Sequence, residues 1–162
     1  MPDLLRALSV QQPFATAIAS WGKAVENQPG PTSHRGSIAI HAASNWNRGG
    51  ESAKACLDAY DRHSGADEDR RLATRLRGRL DRRDQALFPR KAIIALALLT
   101  DCHQCNGSCS PWAAAGQWHW RLADVQPLPH PVPVQGQIGL WKLPADITHA
   151  VLSQLLPEAT DA

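Results

Sequence analysis

Apolar and polar residues alternate along several short stretches of the chain, and this alternation predicts β-strands. The predicted strands are RALSV (6–10), SIAIHAA (37–43), AIIALALL (92–99), WHWRLADV (118–125) and GQIGLWKL (136–143). In the second strand Ile38 and Ile40 share one face, so His41 is expected to face away from them. The third strand is apolar throughout, which is typical of a strand buried on both faces.

Helical spacing occurs near both ends of the chain. Phe14, Ala17, Ile18 and Trp21 lie at the positions of one helical face, and this predicts a short helix after the first strand. A second helix is predicted within PADITHAVLSQLL (144–156), where apolar residues also form one stripe. Helices therefore interrupt the strands or flank them.

Residues 45–88 differ in character from both flanks and are predicted to form a helical insertion. Helices are expected from about residue 52 to 62 and from 68 to 83. Leucines recur every four residues in the second helix, at Leu72, Leu76 and Leu80, which predicts an apolar stripe. Arginines recur at the same spacing on a neighbouring face, at Arg71, Arg75, Arg79 and Arg83.

This order of elements favours an α+β fold, in which a small, strongly bent sheet or barrel carries helices at its rim. PLPHPVPV (127–134) contains four prolines in eight residues and is expected to be an extended connection. The chain has 162 residues, 43% of them hydrophobic, which suits a single domain over 1–162 with its own core.

No apolar run approaches the roughly 20 residues that a membrane span requires. The opening MPDLLRALSV contains an acid and too short an apolar stretch for a secretory signal. A cytoplasmic protein without membrane contact is therefore expected.

The positive charge of the chain is local. The formal net charge is only +2. Eight of the thirteen arginines, however, lie between Arg70 and Arg90, against five acids in 67–84. An anionic partner would be attracted to this segment.

Three of the four cysteines lie within DCHQCNGSC (101–109). Thiolates and imidazole suit zinc, and a zinc site could use Cys102, Cys105, Cys109 and His103, with His119 or Cys56 as other possible fourth ligands. The spacing lacks a second paired knuckle, so reduced thiols in a surface loop are the favoured interpretation. No metal or cofactor is expected, unless a nuclease activity requires a divalent ion.

Five stretches in order resemble the ASCH domain, the activating-signal-cointegrator homology domain. They are LSVQQPF, GKAVEN, HRGSIAIHAA, AIIALALLTDC and PVPVQGQIGLWKLP. The resemblance covers nearly the whole chain outside the arginine-rich helices. It implies a PUA-like β-barrel with a cleft, in a superfamily whose members mostly handle RNA or modified nucleotides.

The resemblance also implies where the ligand binds. Lys23, Glu26 and Arg35 match the lysine, glutamate and arginine of the family's cleft, and Gln12 lies in the turn beside it. Taken by themselves, two cations with one carboxylate would form a net positive pocket for phosphates and base amino groups. The alternative is an ion pair that only holds the following loop against the barrel.

Two enzymatic alternatives accompany nucleic-acid binding. Some ASCH-like proteins resemble amidohydrolases that deacylate a modified cytidine, but Glu26 stands where that subgroup has its threonine nucleophile. Related bacterial members resemble single-strand ribonucleases. In such an enzyme Lys23, Glu26 and His41 would be catalytic, and His41 with His119 could serve as acid and base. A metal-dependent nuclease would need clustered acids, and Asp101 and Asp124 are available but do not form a cluster in the sequence.

Further contacts to RNA or single-stranded DNA are expected outside the cleft. Trp46 and Trp112 lie in predicted loops and could stack on bases, whereas the other tryptophans fall on core-like positions. The arginines Arg71, Arg75 and Arg79 could contact phosphates, or could form a solvated helix face with local ion pairs. No protein partner can be predicted.

Overall fold

The computed structural model describes residues 5–156, in which six strands form one mixed sheet. The strands are β1 (Arg6–Gln12), β2 (Val25–Gln28), β3 (Gly36–Trp46), β4 (Ala92–Gln104), β5 (Trp118–Pro133) and β6 (Leu140–Lys142). Their order is β2-β5-β4-β3-β1-β6, with β1 parallel to β3 and the other neighbours antiparallel. The predicted α+β class is confirmed. The expected barrel is not closed, because β2 and β6 remain the two edges of the sheet.

Helices pack at the rim of the sheet, as the sequence pattern predicts. They are α1 (Phe14–Ser20), α2 (Lys54–His63), α3 (Glu68–Arg77) and α4 (Ala145–Ser153), with a short 3₁₀ turn at Gly50–Ser52. Among residues 5–156, no helix combines the length and the apolar character needed to cross a membrane.

Alternation along β3 divides the main core into two apolar layers. Ile38 and Ile40 pack into the layer that also receives α1, whereas Ala39 packs into the layer beneath α4. His41 lies on the side of Ala39, with its ring centre 5.6 Å from that of Trp141. The prediction that His41 faces away from the isoleucines is therefore confirmed.

The proline-rich stretch belongs to a strand, so its prediction as a connection was wrong. β5 runs to Pro133 and pairs with β4 along its length. On its other side β5 pairs with β2 only from Trp118 to Arg121. The remainder is an edge on that side, where prolines are tolerated because no partner requires their missing N–H groups.

The helical insertion builds a third core around Phe88, with Trp21, Cys56 and Tyr60. The second helix of this insertion is shorter than predicted, since α3 ends where Gly78 adopts φ 66. Glycine takes this left-handed conformation without a Cβ penalty, which commonly ends helices.

The predicted apolar stripe of leucines is also wrong, because α3 ends before the third leucine and its first two leucines are exposed. Leu72 is 47% exposed and Leu76 is 79% exposed, whereas Leu80 lies beyond the helix and is buried. The four-residue spacing continues past Gly78 in the sequence, but the helix does not.

Candidate functional site

A buried ion pair lies where α1 leads into β2. Lys23 is only 2% exposed, and its Nζ lies 2.5 Å from Oε2 of Glu26. The same ammonium donates to the carbonyl of Val25 and lies 5.2 Å from the centre of the Phe14 ring. The hydrogen bonds of Lys23 are therefore made to the protein itself.

The helical insertion approaches this ion pair from one side. Cys56 of α2 is fully buried, and burial raises the pKa of its thiol to about 12. The positive charge of Lys23 acts on the pKa of the same thiol in the opposite direction. The Phe14 ring under the Lys23 ammonium packs against the same third core as Cys56. With little solvent contact, the pair is in a position to hold the segment after α1 against the fold.

Arg35 does not join this pair. It is exposed, and its guanidinium donates to two carbonyls of its own loop. It also helps to lower the pKa of the Asp101 carboxyl on β4, after the larger effect of a hydrogen bond with His103. The expected trio is thus divided, because Glu26 is occupied by Lys23 and Arg35 faces β4.

Gln12 also belongs to the interior. It is fully buried, and its Nε2 donates to the carbonyl of Pro89 over 2.7 Å. Its Oε1 accepts from the backbone N–H of Thr16 over 2.9 Å. Both ends of the amide are therefore occupied, and they join the start of α1 to the segment before β4 instead of reaching into a ligand site.

A polar cleft of about 410 Å³ opens beside His41, between the ends of β1 and β3 and the loop before β6. The polar side chains that define this cleft are Ser9, Gln28, His41, Asn45 and Gln137. Nε2 of His41 lies 2.9 Å from the carbonyl of Val134, and Nδ1 lies 3.3 Å from the Ser9 hydroxyl. Since a carbonyl only accepts, Nε2 carries the proton of the neutral ring.

The loop before β6 closes tightly on this ring. A Cβ at Gly136 would lie 2.4 Å from Cε1 of His41, closer than side-chain atoms can approach. A glycine is therefore required at this position, and the imidazole forms a fixed wall of the polar cleft.

The burial of His41 predicts a pH dependence of stability. Desolvation lowers its pKa below 6.5, although the Val134 hydrogen bond opposes this. The unfolded chain therefore binds a proton at a higher pH than the folded protein, and stability decreases as pH falls from about 6.5 toward the folded pKa. Urea unfolding of the natural protein and of His41→Gln should show a pH-dependent difference in this range. A constant difference between pH 7.5 and 5 would contradict the prediction.

His41 and His119 do not form the acid–base pair considered from the sequence. His41 contacts Ser9 and Val134 near β6. His119 instead contacts Cys105 and Cys109 at the end of the β4–β5 hairpin. The two imidazoles thus lie in separate clusters.

A basic groove lies on the surface where the insertion returns to β4, with a volume of about 800 Å³. The side chains that define this basic groove are Trp46, Arg82, Arg83, Arg90 and Lys91. Arg90 lies 5.4 Å from the Trp46 ring, which leaves a cation beside a partly exposed indole. No carboxylate lines the groove within residues 5–156, although Asp81 pairs with Arg83 from outside it.

Lys91 joins the basic groove to the polar cleft, because it lines both. Its backbone has φ 57, which is uncommon for a residue with a side chain. Two hydrogen bonds hold this conformation, from Lys91 N–H to Ala42 and from Val134 N–H to Lys91. From the sequence, Trp46 was a stacking candidate, and three of the four cations lay in the arginine-rich segment that was expected to attract an anionic partner. Lys91 was not a candidate, and no helical or strand spacing indicated that the four cations meet around Trp46.

The three arginines predicted to contact phosphates have different surroundings. Arg75 pairs with Asp61 and Glu68, so its charge is neutralised locally. Arg71 is half-buried, whereas Arg79 is exposed beside a smaller hollow. Of the three, only Arg75 is held in ion pairs within residues 5–156.

Trp112 lies in the hairpin loop between β4 and β5 and packs partly against the third core. Its side chain is half-buried against the third core, and Asn27 of β2 donates to its carbonyl over 2.8 Å. Trp112 therefore seals the hairpin loop over β2. Trp21, Trp120 and Trp141 are buried, which confirms their predicted core positions.

The cysteines of DCHQCNGSC do not all lie on one side of the sheet. Cys102 packs against the main core opposite Trp120, whereas Cys105 and Cys109 lie near His119. The predicted set of Cys102, Cys105, Cys109 and His103 is therefore corrected, because strand alternation turns Cys102 away from His103. A hydrogen bond with Cys109 lowers the pKa of Cys105 to about 6 and raises that of Cys109.

These features define a small α+β protein with an open six-stranded sheet, a buried lysine–glutamate pair and a polar cleft. The fold is similar to solved ASCH structures from Zymomonas mobilis. A serine-to-alanine variant of that protein aligns with a TM-score of 0.54 at 17% identity, over 94% of this chain and 98% of the other. The unmutated protein also aligns with a TM-score of 0.54 at 17% identity, over 91% of this chain and 93% of the other.

A tyrosine-to-phenylalanine variant of the same protein gives a TM-score of 0.52 at 18% identity, over 91% of this chain and 96% of the other. No family model and no curated protein matches the sequence. The chain has the ASCH fold, which confirms at the level of fold the resemblance of the five sequence stretches.

Proposed function

We propose that the protein binds single-stranded nucleic acid, RNA or DNA, along the basic groove. The observation that supports this proposal is a groove with four cations and an indole and with no carboxylate in its lining. Guanidinium and ammonium groups pair with backbone phosphates, and an indole face accepts a stacked base. Double-stranded ligands would offer fewer unstacked bases to Trp46.

The polar cleft adds a place for one base. Lys91 lines both surfaces, so a strand whose phosphates follow the groove can direct a base toward Asn45, which is exposed in the polar cleft. An asparagine amide both donates and accepts, and the buried His41 forms the wall behind it. The groove thus provides affinity by charge, and the cleft provides preference among bases.

The geometry gives less support to the enzymatic alternatives. Deacylation would use Lys23 and Glu26, which are occupied by each other. Cleavage by paired histidines would require His41 and His119 to meet at one phosphate, but their contacts lie in separate clusters. Binding without chemistry is therefore the proposed role.

The salt dependence of binding tests the groove. The affinity for a labelled single strand should fall with salt, and each lost phosphate contact should reduce the slope of log K against log salt by about 0.7. Arg82→Gln and Lys91→Gln should each show this reduction in fluorescence anisotropy at several salt concentrations. Lys142→Gln is the matched control, since Lys142 is exposed on β6 outside the groove.

Unchanged slopes in both groove variants would contradict the proposed interface. The same samples should be followed over time on denaturing gels, with RNA and DNA of one sequence. Cleavage that disappears in the groove variants would replace the binding role by ribonuclease activity. A panel of acylated cytidines should remain unreacted, and their deacylation would favour the amidohydrolase alternative.

A further inference from the structure

Four potential metal ligands converge at the end of the β4–β5 hairpin. They are His103, Cys105, Cys109 and His119, called the tetrad below, and one ligand atom from each lies within 4.8 Å of the others. His103 and His119 face each other directly in the pairing of β4 with β5. Cys105 follows β4 and Cys109 lies in the connecting loop, so the fold itself gathers the four groups.

The distances within the tetrad match the edges of a tetrahedral zinc site. Sγ of Cys105 and Sγ of Cys109 each lie 3.4 Å from Nδ1 of His119. Zinc bond lengths to sulfur and nitrogen imply a separation of about 3.5 Å between two such ligands in a tetrahedron. Nδ1 of His119 thus lies at the position that a zinc ligand would take relative to both thiols.

Hydrogen bonds orient both imidazoles for metal binding. Nε2 of His119 lies 2.7 Å from the carbonyl of Ala114 and must donate to it, which leaves the lone pair on Nδ1 facing the cysteines. Nδ1 of His103 lies 2.8 Å from Oδ2 of Asp101, and donation there leaves Nε2 available. Metal-binding histidines typically have such a carbonyl or carboxylate partner on their other nitrogen.

The loop that carries the cysteines is also arranged around the sulfur atoms. The N–H of Gly107 donates to Sγ of Cys105 over 3.3 Å, in a turn where Gly107 has φ 95. Further along the loop, Asn27 of β2 accepts from the N–H of Ala114. A metal at the tetrad would therefore hold the hairpin loop in the shape that closes over β2.

We propose that the tetrad binds one structural zinc ion. Two thiolates and two imidazoles form a ligand set that zinc prefers, and four protein ligands leave no open position for substrate. The proposal is independent of nucleic-acid binding, because none of the four residues lines the basic groove or the polar cleft. It differs from the interpretation as free thiols that the sequence favoured, because the fold brings His119 next to both cysteines.

Metal analysis of the reduced protein tests the proposal directly. Protein purified with a thiol reductant should contain one zinc per chain, as measured by inductively coupled plasma mass spectrometry. The metal-free protein should bind Co²⁺ with thiolate-to-metal charge transfer and the strong visible bands of a tetrahedral site. Added Zn²⁺ should displace the cobalt and remove those bands.

Substitutions in the hairpin identify the ligands. Cys105→Ser and Cys109→Ser should each weaken zinc binding more than about 100-fold in a chelator competition. This loss is larger than the loss expected when a residue that only orients a ligand is replaced. Asp101→Asn should weaken it about 10-fold, because Asp101 only orients His103. Cys102→Ala is the matched control, since Cys102 lies in the same hairpin but packs against the core.

Three results would overturn the proposal. One is a reduced, folded natural protein that binds neither Zn²⁺ nor Co²⁺ at micromolar concentration. Another is a loss of binding in Cys102→Ala equal to that in Cys105→Ser. The third is a cobalt spectrum without thiolate charge transfer. Circular dichroism of each metal-free variant would distinguish ligand loss from unfolding, and His103→Gln offers a second variant that changes an imidazole ligand instead of a thiol.

Discussion

Replacing Lys23 by methionine is expected to lower the free energy of unfolding by about 3 to 5 kcal/mol, the usual cost of leaving one member of a buried ion pair without its partner. Glu26 is 9% exposed and forms a salt bridge with Lys23. Methionine retains most of the side-chain length, so the effect measures the missing charge rather than a cavity. Urea unfolding monitored by tryptophan fluorescence gives the value.

A second substitution should restore the stability lost in this variant. In Lys23→Met with Glu26→Gln no buried charge remains, and the double variant should be markedly more stable than Lys23→Met alone. Lys142→Met controls for the loss of an exposed lysine and should change stability by less than about 0.5 kcal/mol.

These measurements distinguish a structural pair from a binding pair. If Lys23→Met folds with unchanged stability but no longer binds nucleic acid, the pair would belong to a ligand site after all. If stability and binding decrease together and recover together in the double variant, the pair acts through the fold. The burial of Lys23 favours the second outcome.

Phe88→Ala is expected to cost about 3 to 5 kcal/mol, since truncating a buried aromatic side chain removes contacts and leaves a cavity. Phe88 is 2% exposed, and its ring centre lies 5.9 Å from that of Trp21 and 4.9 Å from that of Trp46. Both pairs are edge-to-face, which adds to the energy of burial. Thermal and urea unfolding would show the loss as one cooperative transition.

This variant also tests whether the insertion is part of the core. Trp21 follows α1 and Trp46 ends β3, so Phe88 joins the insertion to the sheet. A small loss, or a separate early transition of the helices, would mean that the insertion is only loosely attached. Leu76→Ala is the matched control, because Leu76 is 79% exposed on α3. This substitution should change the free energy of unfolding by less than about 0.5 kcal/mol.

The basic groove depends on the same aromatic packing. Arg90 and Lys91 follow Phe88 closely in the chain, and the Trp46 ring packs on Phe88 while Arg90 lies near it. Phe88→Ala should therefore weaken single-strand binding even under conditions where the protein remains folded. The insertion thus contributes both to the stability of the sheet and to the proposed interface.

The proposed zinc site was only partly indicated by the sequence. All four residues of the tetrad were considered as ligands, but the main candidate set used Cys102, and His119 was one of several possible fourth ligands. Alternation alone places Cys102 and His103 on opposite faces of β4, so this signal was available once the strand was extended to Gln104. The position of His119 opposite His103 required the register of β4 with β5.

The structure does not bring the predicted trio of Lys23, Glu26 and Arg35 together, for a similar reason. Lys23 and Glu26 were correctly linked, because they lie three residues apart and meet locally. Their burial results from the packing of distant parts of the chain, which the local spacing does not indicate. Arg35 donates to two carbonyls of its own loop, and only the packing of that loop determines where its guanidinium lies.

The sequence by itself determined the α+β class, the main strands and the side of β3 on which His41 lies. These properties follow from periodicity and turn residues, which act between neighbours in the chain. Only the tertiary structure decided which distant side chains meet: the tetrad at the hairpin, the cations around Trp46, and the helix beside Lys23. Such contacts depend on register, loop direction and packing, because they join residues that no local pattern connects.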